Sequence, residues 1–204
     1  MANKRQSDAG KRDLPERPSQ LVGRDVTGPM ALREDVVRRL RIHDPHVGEP
    51  VRFTEDEFEV LRQIATETNV AAPDPWVRRH AIFHLGDEPT AANLDTLALV
   101  ARSSPDVDAR GEALMAMGRS GAAVGAPILA EALGASDPLE AEAAGRAVRE
   151  LAARAGRSAV LQAVSIAPPK SSRRLRDFLE TVPEPRVGRR PRQTRGDIHR
   201  GSEE

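Results

Sequence analysis

Residues 74–86 read DPWVRRHAIFHLG, and this stretch decides the fold. Asp74 offers a side-chain oxygen to free backbone N–H groups, and Pro75 fits the first helical position, where a missing N–H costs nothing. Val77, Ala81, Ile82 and Leu85 then recur at helical spacing and make one apolar stripe. The segment starting at Val77 aligns with residues 109–118, ARGEALMAMG, 32 positions later, and with residues 143–152, AAGRAVRELA, 34 further on. Each copy opens on Val77, Ala109 or Ala143 and has alanine four on, at Ala81, Ala113 and Ala147. Apolar groups follow at the fifth and eighth places: Ile82 and Leu85, Leu114 and Met117, Val148 and Leu151. A recurrence of this length, with room for two helices per unit, is the pattern of a helical solenoid.

Working outward, the gaps between copies hold the partner helices. Residues 93–102 place Leu94, Leu97, Ala98 and Val100 on one side, and residues 127–133 do the same with Ile128, Leu129, Ala132 and Leu133. Ser104-Pro105 and Asp137-Pro138 repeat the start device, with Glu140 expected as the capping-box partner of Asp137. Thr54 and Glu57 open a helix whose face is Phe58, Leu61, Ile64 and Ala65. Before it, residues 30–42 form an amphipathic helix on Leu32, Val36, Val37 and Leu40, closed by a turn at Asp44-Pro45 and residues 48–50. A last helix pair is predicted at residues 158–166 and 172–182. The expected fold is all-α, a short right-handed α-solenoid of about four helix pairs. Its divisions are a disordered arm at 1–29, an amphipathic helix and turn at 30–53, the repeat domain at 54–182 and a disordered basic tail at 183–204.

The run from Asp74 to Gly86, with its Val-Arg pair, its alanine four on from the valine and its Leu-Gly ending, resembles the short bacterial HEAT-like repeat of the phycobiliprotein-lyase type. The resemblance extends over roughly residues 54–155. Ala109-Arg110 stands for Val-Arg in the second copy; in the third, Ala144 replaces the arginine and the glycine is absent. The resemblance implies stacked helical hairpins of the kind used by scaffolds, adaptors and some enzymes. Those enzymes hold iron with repeated His-Glu pairs, and no His-Glu dipeptide occurs here.

Composition removes other classes. There is no cysteine, so thiol catalysis, disulfides and Cys-ligated zinc are excluded. The first twenty residues lack an apolar run, and the longest uncharged stretch, residues 158–169, is too short to span a bilayer. A cytoplasmic location is the expectation. The formal net charge of zero conceals segregation: residues 1–53 carry 11 basic and 8 acidic groups, residues 54–154 carry 9 and 17, and residues 155–204 carry 11 and 6.

His80 and His84 stand one helical turn apart, the spacing at which two imidazoles share a metal, with Asp87 and Glu88 close behind. The repeat register sets His80 over Glu112 and Arg146, and His84 over Ala116 and Glu150. These are solvent or groove-edge positions without a third convergent ligand, so neither a metal nor a cofactor is expected, and a metal-dependent enzyme is the least favoured class. His43 and His46 read as a solvated turn for the same reason. Gly118, Gly121 and Gly125 lack dinucleotide-loop spacing and read as a helix C-cap and two loop residues. No catalytic constellation is found.

Arg186, Arg189, Arg190, Arg192 and Arg195 make an extended arginine-rich tail. Such a tail neutralises phosphates, and without interleaved aromatics any nucleic-acid contact would be electrostatic and unselective. HEAT-like DNA glycosylases use a basic, aromatic-bearing concave face, whereas this middle segment is acidic overall and holds only Phe58, Phe83 and Trp76. A solvated tail, or one folding onto the acidic repeats, is the plainer reading. Trp76 reads as packing on a neighbouring loop, with a binding hot spot as the alternative. The expectation is a non-catalytic scaffold that binds a protein partner in the groove through Trp76, Arg79, His80, Phe83, Glu112, Met115, Arg146 and Arg149. A nucleic-acid-associated protein using the arginine tail is the alternative.

Overall fold

The computed structural model describes residues 28–43, 51–67 and 74–183. Among these residues the chain forms nine α-helices and two short 3₁₀ turns, with no strand. The predicted turn at 44–50 and both terminal arms lie outside the described residues, apart from the few residues that flank the first and last helices.

Helix α1 (Pro29–Ile42) is followed by α2 (Glu55–Thr66), α3 (Pro75–Leu85), α4 (Ala91–Ser103), α5 (Val107–Ser120), α6 (Ala126–Ala132), α7 (Pro138–Ala155), α8 (Arg157–Ala163) and α9 (Pro169–Thr181). Local chemistry sets most starts. Thr54 and Glu57 exchange a full capping box, the Glu57 N–H donating to the Thr54 hydroxyl at 3.3 Å and the Thr54 N–H to the Glu57 carboxylate at 2.6 Å. The Asp74 carboxylate accepts from the Trp76 N–H at 3.0 Å, and Asp137 accepts from Leu139 N–H at 2.9 Å.

Two starts differ from expectation. Ser104 closes α4, and Asp106 caps α5, because the buried Ser104 hydroxyl already accepts from Arg78 and from the Asp106 N–H. Glu140 does not complete a capping box; its carboxylate takes Nε of Arg110 at 2.8 Å.

The helices α3, α5 and α7 form one row and α2 and α4 pack beside it, each of α2, α4 and α6 paired with the helix that follows it. The three aligned alanines, Ala81, Ala113 and Ala147, are all fully buried, as are Ile82, Leu114, Val148, Leu85 and Leu151. The recurrence therefore marks one continuous interior. Small residues let the row close tightly. A Cβ on Gly86 would lie 2.7 Å from the Ala116 carbonyl oxygen, and one on Gly118 would lie 2.6 Å from that of Ala147. Gly118 is thus a close-contact residue inside α5 rather than its C-cap; Gly121, at φ 68°, ends the helix.

The ends of the stack depart from regular pairing. Helix α1 packs on both α2 and α3 through Val36 and Leu40, taking the place a preceding unit would occupy. The last two helices do not extend the rows as a further hairpin: α8 rests chiefly on α7, and α9 on α6 through Leu175 and Leu179.

Ion pairs join successive units. Arg78 lies within 3.9 Å of Asp106, Arg79 within 3.8 Å of Asp108, Arg102 within 3.0 Å of Glu131 and Arg110 within 2.8 Å of Glu140. Within α2, Arg62 reaches Glu55 and Glu59, each at 2.9 Å, and Asn93 of α4 at 2.8 Å. Much of the acidity of the middle segment is therefore matched to neighbouring arginines.

Candidate interaction surface

The outward face of the α3–α5–α7 row gathers most of the residues singled out in the sequence. Trp76 sits one residue into α3 and remains 46 % exposed. It packs on its own helix: its ring centroid lies 4.2 Å from that of His80, and the Arg79 guanidinium stands 5.7 Å from its centre. The repeat register places Asp108 and Glu142 at the equivalent points of α5 and α7, so the aromatic is particular to the first unit.

One turn further along, Phe83 is half-buried beneath the Arg119 guanidinium, which lies 3.7 Å from its ring centre. Arg119 also donates to the Phe83 carbonyl at 3.3 Å and to Glu112 at 3.2 Å. This binds the edge of α3 to α5. Met115 is half-buried beside them, Arg146 is exposed and paired with Glu142, and Arg149 is exposed with its guanidinium 5.6 Å from the Phe178 ring.

His80 does not stand at a groove edge. It is 4 % exposed, and its Nδ1 lies 2.8 Å from the Leu40 carbonyl, because α1 covers this position as no helix covers Glu112 or Arg146 to the same extent. His84 is likewise interior, at 3 % exposure, with Nδ1 2.9 Å from an Asp87 carboxylate oxygen. The two imidazoles thus have separate partners, and among the described residues no group of three or more His, Asp and Glu is arranged to hold a metal ion. Arg186, Arg189, Arg190, Arg192 and Arg195 lie outside the described residues.

The structure also assembles a feature that the repeat pattern leaves unmarked. Between α1, α2 and α3 a cleft of about 480 Å³ is walled by Phe53, Phe58, Phe83 and His84, with Asp87 and Glu88 on its rim. Phe58 reads from sequence as an ordinary core residue and Phe53 as part of a turn. The available signal was scarcity, since three of the chain's four phenylalanines meet here.

Among the described residues no helix is long and apolar enough to cross a membrane. Residues 58–149 match the family model described as HEAT repeats. No curated protein matches the chain.

Proposed function

The chain is a HEAT-like repeat protein over residues 58–149, and from that premise we propose that it is a non-catalytic module binding a partner protein along the outward face of the α3–α5–α7 row. HEAT repeats generally mediate protein interactions, and their helices offer a broad, continuous surface rather than a deep pocket.

The observation that carries the reading is Trp76. It is the only tryptophan, it is half out of the protein, and it occupies a register position that is acidic in the other two units. Its contacts with His80 and Arg79 hold the ring before any partner arrives, so little rotamer entropy is lost on binding. Met115, Arg146 and Arg149 extend the same face with mixed polarity, the composition of a protein-binding surface with tryptophan and arginine as anchors.

The test is affinity capture with the full chain from its native cell, followed by a measured Kd for the captured protein. Trp76→Ala is expected to weaken binding by about 30-fold, the roughly 2 kcal/mol scale of an interface hot spot. Met115→Asp on the same face is expected to do at least as much. An affinity unchanged by both substitutions, but lost on removing residues 184–204, would instead place binding in the C-terminal arginines.

A further inference from the structure

We propose that the cleft between α1, α2 and α3 binds the arginine side chain of a partner polypeptide. The inference deepens the interaction reading and rests on it for the ligand being a protein. Phe53 and Phe58 meet edge to face with centroids 6.0 Å apart, and the His84 ring lies 5.1 Å from Phe53 and 5.3 Å from Phe83. These rings supply aromatic surface for a flat cation.

His84 supplies direction. Asp87 accepts at Nδ1, which in the neutral imidazole leaves Nε2 as an acceptor. Among the described residues Nε2 makes no hydrogen bond, and it is not enclosed: the buried side-chain nitrogen without a partner there is Arg119 Nε. An accessible acceptor on a residue lining the cleft can take an N–H donor from a ligand.

The rim supplies charge. Among the described residues Asp87 pairs only with His84, Glu88 has no ion pair, and Arg52 on the same rim pairs with neither carboxylate. An acceptor nitrogen, two carboxylates and aromatic walls together fit a planar cationic group carrying several N–H donors, which is a guanidinium. The protein already uses this pairing within itself: Arg39 lies 4.5 Å from the centre of Phe53 and Arg119 lies 3.7 Å from that of Phe83. Because Phe83 belongs both to the cleft and to the outward face, a polypeptide lying along the row has its side chains beside the opening.

The chain's four phenylalanines make the test direct. The full chain labelled with 4-fluorophenylalanine is titrated with a blocked glycine-arginine-glycine peptide and with the same peptide carrying citrulline. The arginine peptide is expected to move the Phe53, Phe58 and Phe83 fluorine signals saturably while Phe178 stays in place, and the citrulline peptide to move none. Asp87→Asn with Glu88→Gln, which keeps both side-chain shapes, is expected to weaken the response at least 10-fold. An equal response to citrulline, or no effect of the double substitution, overturns the assignment. If the three signals stay still while Trp76→Ala abolishes partner binding, the cleft assignment falls and the interaction module stands. If they move while no substitution on the row affects any partner, the cleft stands and the module falls.

Discussion

Replacing Gly118 by alanine should destabilise the protein even though alanine is the better helix former. Gly118 lies inside α5, so the substitution carries a propensity gain of about 1 kcal/mol. Against it stands the backbone of α7: the new Cβ would fall 2.6 Å from the Ala147 carbonyl oxygen and 2.7 Å from its Cα. Restoring ordinary contact requires roughly 0.8 Å of separation at a close-packed interface whose neighbours are backbone and cannot rotate away. Overpacking of this kind costs about 1–3 kcal/mol, and the tight backbone contact places this site at or above the upper end. The expected net loss is about 2 kcal/mol, or some 4–8 °C in Tm for a domain of this size.

The control lies in the same helix. A Cβ on Gly111 would meet only the Ala143 Cβ, at 3.6 Å, so Gly111→Ala gains the propensity without the clash and should stabilise by up to about 1 kcal/mol. Urea unfolding of the two variants measures the difference, in which propensity cancels. Equal stabilisation by both would refute the argument that glycine sets the α5–α7 spacing.

Arg78 is buried, with Nε donating to the Ala65 carbonyl at 3.0 Å and Nη2 to the Ser104 hydroxyl at 3.2 Å, so Arg78→Ala should cost about 3 kcal/mol by chemical denaturation; Arg78→Lys, which has no fork, should recover less than half. Hydrogen bonds from Arg62 and then Gln63 hold the Glu59 carboxyl below its ordinary 4.5, so its contribution is present above that pH and lost as the pH falls through the lower folded value. Glu59 is largely exposed, which limits the effect to about 0.3–0.5 kcal/mol, and Glu59→Gln should show that deficit in urea at pH 7 and a shrinking one as the pH falls below 4.5.

The core was legible because its cause is periodic. Ala81, Ala113 and Ala147 recur where helices of one row cross, and side chains at helical spacing announce a buried stripe regardless of what lies beyond it. The starts at Thr54, Asp74 and Asp137 were legible because a cap acts within three residues. Ser104 was misplaced because its hydroxyl is taken by Arg78, twenty-six residues away, and no local pattern carries that competition. His80 was misplaced for the same reason on a larger scale. Its register partners Glu112 and Arg146 are accessible, whereas α1 returns from forty residues upstream to cover it. The aromatic cleft depends on three elements meeting, a relation that the period of a repeat does not encode.

The departures from the repeat pattern follow from where the row stops. Arg78 and Arg110 each tie the end of the preceding helix to the next unit: Arg78 bonds the Ala65 carbonyl and approaches Asp106, while Arg110 bonds the Ser104 carbonyl and Glu140. At the third copy the equivalent residue is Ala144, fully buried, so the arginine tie to a following unit is not repeated there. The glycines obey the same logic. Gly86 and Gly118 each admit the backbone of the next helix in the row, and α7, with no successor in that row, carries Ala152 at the corresponding place. At the opposite end His80 is apt only because α1 covers it, since a charged residue such as Glu112 or Arg146 would be costly to bury there. Loss of the arginine and glycine thus marks the last unit of the row, and the buried histidine marks the first. The outward face bearing Trp76, Met115 and Arg146 is therefore a surface three units long whose limits are written into its own side chains.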